Sequence, residues 1–259
     1  MPITRGLSTL CLLAGLAVSG GLRRIVLGQT PNSTPPTSAM RMFNRVPSLL
    51  HPHLAALGPR LRSTGKEQTI YSGEIVDEAG RRSPVQVTVQ LPGLVRLEGV
   101  KPGGPLSFDG QRTTGVASAL DDSLIETFVM DLPEGMFDAS QRSAALRLLG
   151  RGFGSDPRSK GNRAGPRYDI YELMAPVVSR PDQPVRSRLY YFDSQSGLLQ
   201  STRYYDRTNK IETRFSNWKT LEGSAYPGQI DHYENGRLVF SFEAKTIVAA
   251  AATEPSRFR

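Results

Sequence analysis

Three histidines, one cysteine and a few clustered carboxylates are the side chains of this 259-residue chain that could transfer protons, attack a carbonyl or hold a metal. Asp231, His232 and Glu234 stand close enough in sequence to suggest general acid–base chemistry. Their segment reads as a strand, however, and alternation sends His232 to the face opposite Asp231. No serine elbow or glycosidase-like pair of carboxylates accompanies them. His51 and His53 are two residues apart, divergent on a helix and co-facial on a strand, and two imidazoles alone do not make a metal site. Gly150-Arg-Gly-Phe-Gly154 has the glycine density of a phosphate loop. Its context is wrong: no strand precedes it, it does not open a helix, and no Gly-Lys-Ser/Thr closes it. Cys11 lies in an early apolar run, so a chain cut behind that run has no thiolate, disulfide or cysteine-based zinc site. The sequence therefore predicts no enzyme, no metal and no cofactor.

The elements around these residues explain why chemistry is hard to find. Arg5, the apolar run Leu7 to Val18 and the small residues Ser19, Gly20 and Gly21 have the layout of a secretory signal, with Arg23 and Arg24 behind it. Residues 1–28 are read as that signal, with cleavage either at 19–20 or after Gly28, and the destination as a bacterial periplasm. Residues 29–39 are rich in Pro, Ser and Thr and read as a disordered linker. Residues 40–64 carry an apolar stripe at helical spacing, interrupted by Pro47 and Pro52 and stopped at Gly58-Pro59. Residues 65–250 form the main domain, and 251–259 a C-terminal tail. The formal charge is +8, which becomes +5 when Arg5, Arg23 and Arg24 are subtracted. The arginines are dispersed rather than clustered, which argues against nucleic acid and admits at most a peripheral membrane contact.

Within the main domain, residues 186–248 combine strand patterning with turn chemistry most consistently. They read as a five-strand antiparallel meander turning at Ser194-Gln-Ser-Gly197, at Arg207-Thr-Asn-Lys210, through 223–228 and at Asn235-Gly236. Asn-Gly suits a type I′ hairpin, because both central residues need positive φ. In the last strand Leu238, Phe240, Phe242 and Ala244 share one face, and Arg237, Ser241, Glu243 and Lys245 the other. Upstream, residues 68–77 and the alternating Val85, Val87 and Val89 read as a hairpin, 94–100 as a further strand, and 106–116 as a tight hairpin turning at Asp109-Gly110. Two helices are predicted between these halves. One covers 121–132, capped by Asp121 or Asp122, and the other 138–149, capped by Asp138 with Leu148 and Leu149 on its inner face. Residues 150–167 read as a glycine-rich loop, and 168–178 as a strand leading into the meander.

Strands, then helices, then strands is the layout of an α+β domain. With about nine or ten strands, the sheet is long enough to curl, leaving room for helices on its concave face. The turn Asp193-x-x-x-Gly197-Leu198, the segment Thr213-Arg-Phe-Ser216 and the loop Gly223-x-x-x-Pro227 resemble the C-terminal half of the LolA-like superfamily. That resemblance implies an unclosed half-barrel plugged by helices, in exported proteins that bind lipoprotein acyl chains or other lipids. The implied site is an apolar cleft lined by Val87, Val89, Phe128, Leu148, Leu149, Phe215, Leu238, Phe240 and Phe242, where acyl chains would gain about 0.8 kcal/mol per buried methylene. The alternative is an envelope interaction or sensor module with a filled core and no ligand. In that reading Tyr204, Tyr205, Tyr226 and Tyr233 would anchor a partner protein.

Overall fold

A computed structural model describes residues 46–62, 66–100, 104–141, 145–153, 166–178 and 185–258. The expected signal, linker and the core of the glycine-rich loop lie outside these residues. The chain begins with helix α1 (Val46–Leu57) and a 3-10 turn (Pro59–Arg62). Five strands follow: β1 (Glu67–Asp77), β2 (Arg82–Gln90), β3 (Leu94–Glu98), β4 (Leu106–Asp109) and β5 (Thr113–Thr114). Next come helix α2 (Ala119–Glu126), a π-helical turn (Thr127–Asp131) and helix α3 (Pro133–Gln141). The second half holds β6 (Ala145–Phe153), β7 (Arg167–Ala175), β8 (Arg186–Asp193), β9 (Leu199–Asp206), β10 (Asn209–Ser216), the small hairpin β11 (Lys219–Leu221) and β12 (Ser224–Tyr226), β13 (Gln229–Glu234) and β14 (Arg237–Ala251).

Twelve strands form one antiparallel sheet in the order β5-β4-β3-β2-β1-β14-β13-β10-β9-β8-β7-β6, which does not close into a barrel. The predicted meander is its β8-β9-β10-β13-β14 portion, and Asn235 and Gly236 both have positive φ, as a type I′ turn requires. The two outermost strands, β5 and β6, flank the helices in sequence. The chain must therefore travel from one edge of the open sheet to the other between them, and α2, the π turn and α3 make that crossing over the inner face. Alternation supplies the apolar surface beneath: Tyr71, Val87, Leu97, Leu106, Phe215, Phe240 and Phe242 are buried in one cluster with Leu124, Ile125, Phe128 and Met136 from the crossing segment.

Three local expectations need correction. The first crossing helix is capped by Ser118, whose hydroxyl accepts from the Asp121 N–H while Asp121 reaches back to the Ser118 N–H. Asp121 is thus the third residue of a capping box rather than the cap. The second helix runs from Pro133 to Gln141 instead of 138–149, with Pro133 at a first-turn position where a missing N–H costs nothing. Ala145 onward is instead an edge strand, because β7 has an open side and pairing there satisfies more backbone than a solvent-facing helix would bury side chains. Finally, residues 251–259 are not a free tail: Phe258 is buried, and the Arg257 carbonyl accepts from Arg96 Nη1 at 2.6 Å. The expected strand count was low because β6 was read as helix and β11 and β12 are only three residues long.

Gly135 sets how closely the two halves of the crossing segment pack. A Cβ there would lie 1.8 Å from the Val129 carbonyl oxygen, a backbone atom that cannot swing aside. Gly135→Ala should destabilise the fold by about 1–3 kcal/mol in urea unfolding. A change within a few tenths would mean that the crossing segment is loosely held.

Candidate functional site

The inner face of β7 to β14 carries a cross-strand row set by register. Tyr171 pairs with Tyr190, Tyr190 with Thr202, Thr202 with Thr213, Thr213 with His232, and His232 with Phe240. In the adjacent row Arg188 lies opposite Tyr204. Both rows point at the underside of the crossing segment, which places Glu126, Thr127 and Asp131 against them. The outcome is a buried polar cluster within an otherwise apolar core.

Arg188 is its centre. One Nη atom pairs with an Asp131 carboxylate oxygen and the other with Glu126, and the guanidinium lies 4.1 Å from the centre of the Tyr204 ring. All three charged residues are buried. Glu126 also accepts from the Val178 N–H at 3.0 Å, and the Tyr190 hydroxyl donates to the Met130 carbonyl at 2.7 Å. One cation faces two carboxyl groups. Burial, with Asp131 adding to it, pushes the Glu126 carboxyl up despite the opposing Arg188. Burial alone would lower Arg188, but Asp131 and Glu126 outweigh it and hold the guanidinium charged.

Asp131 also accepts from Thr213 Oγ1 at 2.6 Å. Since that hydroxyl donates to a carboxylate, its oxygen accepts at its other contact, His232 Nδ1 at 3.1 Å, which puts the ring hydrogen on Nδ1. Thr127 Oγ1 lies 3.1 Å from the same nitrogen, and the ring stacks on Phe240 with 5.0 Å between centres. Burial lowers the His232 pKa to about 4, so the ring is neutral. Asp231, on the other face, accepts from Ser241 Oγ at 2.6 Å, so the expected separation of Asp231 from His232 is what the strand produces.

The histidine pair His51 and His53 is also separated. His51 is exposed, while His53 is buried at 4.4 Å from the Phe192 ring, with Nδ1 donating to the Gly197 carbonyl at 3.1 Å. Gly197 has φ of 75°, and a Cβ there would come within 2.7 Å of the Ala56 Cβ. The Asp193-x-x-x-Gly197-Leu198 turn is therefore the seat on which α1 rests.

Of the nine residues predicted to line a cleft, Val87, Val89, Phe128, Phe215, Phe240 and Phe242 come together in the core, and all six are buried. The Phe128 and Phe242 rings meet edge to face at 5.4 Å. Leu148 and Leu149 do not join them. They lie on edge strand β6, 41% and 49% exposed, although Leu148 faces the same side as its partner Tyr171. Leu238 is 38% exposed because an irregularity in pairing between His232 and Tyr233 breaks the alternation ahead of Phe240. Two of the four expected tyrosine anchors, Tyr204 and Tyr226, are buried, whereas Tyr205 is exposed. Concavities of about 540 and about 570 Å³ lie at the rims. The first is lined by Ala119, Leu120 and Val239 together with the paired charges Arg81–Asp77 and Arg237–Glu78. No group of three or more metal-ligating side chains occurs among the described residues.

Sequence reasoning missed the Arg188 cluster. The available signal was parity: Arg188 precedes Tyr190 and Phe192 in the inward set of β8, an arginine where the pattern calls for an apolar residue.

No family model and no curated protein sequence matches this chain. Solved structures do share its fold. A LolA superfamily protein from Nitrosomonas europaea aligns at TM-score 0.51 and 11% identity, over 82% of this chain and 96% of that one. A DUF1329 family protein from Desulfovibrio piger aligns at TM-score 0.52 and 10% identity, over 85% and 96%. A putative outer membrane lipoprotein-sorting protein domain from Vibrio parahaemolyticus covers 79% of this chain at 9% identity and TM-score 0.48. The chain has the LolA-like fold: a large antiparallel sheet left open and covered by helices.

Arg188→Met should cost roughly 3–5 kcal/mol in chemical unfolding at neutral pH, because it strands two buried carboxylates. Acid should act through His232. The unfolded ring takes up a proton near 6.5 and the folded one only near 4, so stability from this group is present above 6.5 and is lost as pH falls through 4. The loss should approach roughly 3 kcal/mol. The difference between wild type and His232→Gln, followed by unfolding from pH 7 to 4, should show that slope; parallel curves would place the acid response elsewhere.

Proposed function

We propose that this chain is an exported, non-enzymatic envelope module that acts by binding a partner protein, with its half-barrel interior filled by its own side chains. The observation that carries this reading is the packing of Phe128, Phe215, Phe240 and Phe242 with Tyr71 in one buried cluster, where an acyl cleft would need space. Apolar surface is available instead at the open edge, where Leu148 and Leu149 are exposed. An unpaired edge strand offers backbone donors and acceptors as well as side chains.

A second reading, carriage of lipid or lipoprotein acyl chains, is favoured by how the crossing segment is fastened. Its attachments to the sheet and to the turn after α1 include the ion pairs Arg188–Glu126, Arg188–Asp131 and Arg60–Glu134. Charges released into water regain hydration, which lowers the cost of lifting the segment off the rings beneath. The fold resemblance to carriers supports this reading at the level of architecture only.

Binding of a fluorescent acyl probe separates the two. The filled-core reading expects no saturable binding to the wild type, and expects Phe240→Ala to cost the roughly 3–5 kcal/mol of a well-packed core phenylalanine. Saturable micromolar binding that Phe240→Ala reshapes, at a smaller loss of stability, would replace the filled-core reading with carriage.

A further inference from the structure

A second buried ion pair lies where the turn after α1 meets the start of α3. Arg60 is held there by its backbone N–H, which donates to Ser224 Oγ at 3.2 Å, and by the Tyr226 ring, whose centre is 4.1 Å from the guanidinium carbon. Nη1 pairs with one oxygen of Glu134. The rest of the fork is poorly used: Arg60 Nε and Nη2 and Glu134 Oε2 are buried with no hydrogen bond of good geometry, and the Tyr71 hydroxyl, close enough to interact with the guanidinium, makes none of good geometry either. Burial lowers the Arg60 pKa from its ordinary value, with Tyr71 and Tyr226 opposing. Groups of this kind are normally satisfied, and leaving several together is costly.

Beside them is a cavity of about 20 Å³, lined by Arg60, Glu134 and Tyr226 along with Thr69, Val89 and Leu91. That is room for one oxygen atom with its hydrogens and little more. The charges decide its kind. Arg60 and Glu134 already cancel and Glu67 adds a carboxyl at the more exposed side of the lining, so a carboxylate or phosphate would leave a negative charge beside Glu134. A neutral oxygen can accept from Arg60 without that penalty.

We infer that this slot is a binding site for a single neutral hydrogen-bonding oxygen, held by the remaining N–H groups of Arg60 beside Glu134. Two sources carry that chemistry: a water molecule, and the carbonyl of an ester or amide brought in by a ligand. The site does not depend on the filled-core reading, because either source satisfies the same groups.

Two measurements on the full chain test the inference and separate the sources. A crystal structure at high resolution should show one oxygen peak within hydrogen-bond distance of Arg60 Nη2 or Nε. The Arg60 Nε–H resonance should be protected from exchange. Titration with a medium-chain acyl methyl ester should shift that resonance if a ligand carbonyl takes the place of water, and leave it fixed if water alone is bound. Arg60→Lys keeps the charge opposite Glu134 but removes the fork. It should abolish the peak and any ester response, with circular dichroism reporting that the fold is retained. The inference is overturned if Arg60 and Glu134 pair through both arms of the fork with no peak between them. It is also overturned if a parallel titration with the corresponding free fatty acid shifts the Nε–H resonance at a lower concentration than the methyl ester does.

Discussion

One guanidinium shared between two carboxylates organises the interior of this protein. Arg188 comes from the sheet, while Glu126 and Asp131 come from opposite ends of a single irregular turn. Apolar packing alone would hold the crossing segment against the sheet without strongly preferring one axial position, since hydrophobic burial is non-directional. The two ion pairs fix that position, because a slide of one residue would leave charges buried and unpaired. The π-helical geometry follows from the same demand. Its extra residue per turn lets Glu126 and Asp131, five apart, face one cation, where an ideal α-helix would place them on diverging sides.

The topology makes that fastening necessary. Because β5 and β6 are the two edges of an unclosed sheet and adjoin the helices in sequence, the helices span a distance rather than pack as an independent layer. Their hydrophobic faces are short, with α2 contributing mainly Leu124 and Ile125, so area burial contributes only a few kcal/mol at each contact. Specific polar contacts along the segment supply the rest of the definition: Arg188 near the middle, and Arg60 with Glu134 where α3 starts. The N-terminal helix is seated in the same manner, by a histidine on the turn that ends in Gly197.

Much of the sheet was legible in the sequence because strands with one buried face state their own register. Phe240, Phe242 and Ala244 alternate with charged residues, Val85, Val87 and Val89 alternate with polar ones, and Asn235-Gly236 specifies its turn. What could not be read belongs to the places where tertiary context overrides local preference. Residues 145–149 have good helix formers yet form a strand, because only a neighbour absent from their own sequence window, β7, gives them a reason to extend. Leu238 left the inward set through an irregularity that no residue type announces. The polar cluster was hidden for a different reason. Glu126, Asp131 and Arg188 are each ordinary surface residues by composition, and only their meeting across long sequence separations makes them a core. The same holds for Arg60 and Glu134.

The position of β14 has a consequence for how the molecule comes into being. The last strand does not sit at an edge but between β1 and β13, pairing with β1 along its whole length from Glu67 opposite Ala251 to Asp77 opposite Phe240. A chain emerging amino end first has nothing for the second edge of β1 to pair with until β14 appears. The early strands form at most a small open sheet, and the two halves unite only once β14 has been made. Closing that longest loop costs entropy that no earlier contact offsets, which makes completion late and cooperative. The delay makes β14 the step that commits both halves of the sheet to the folded state.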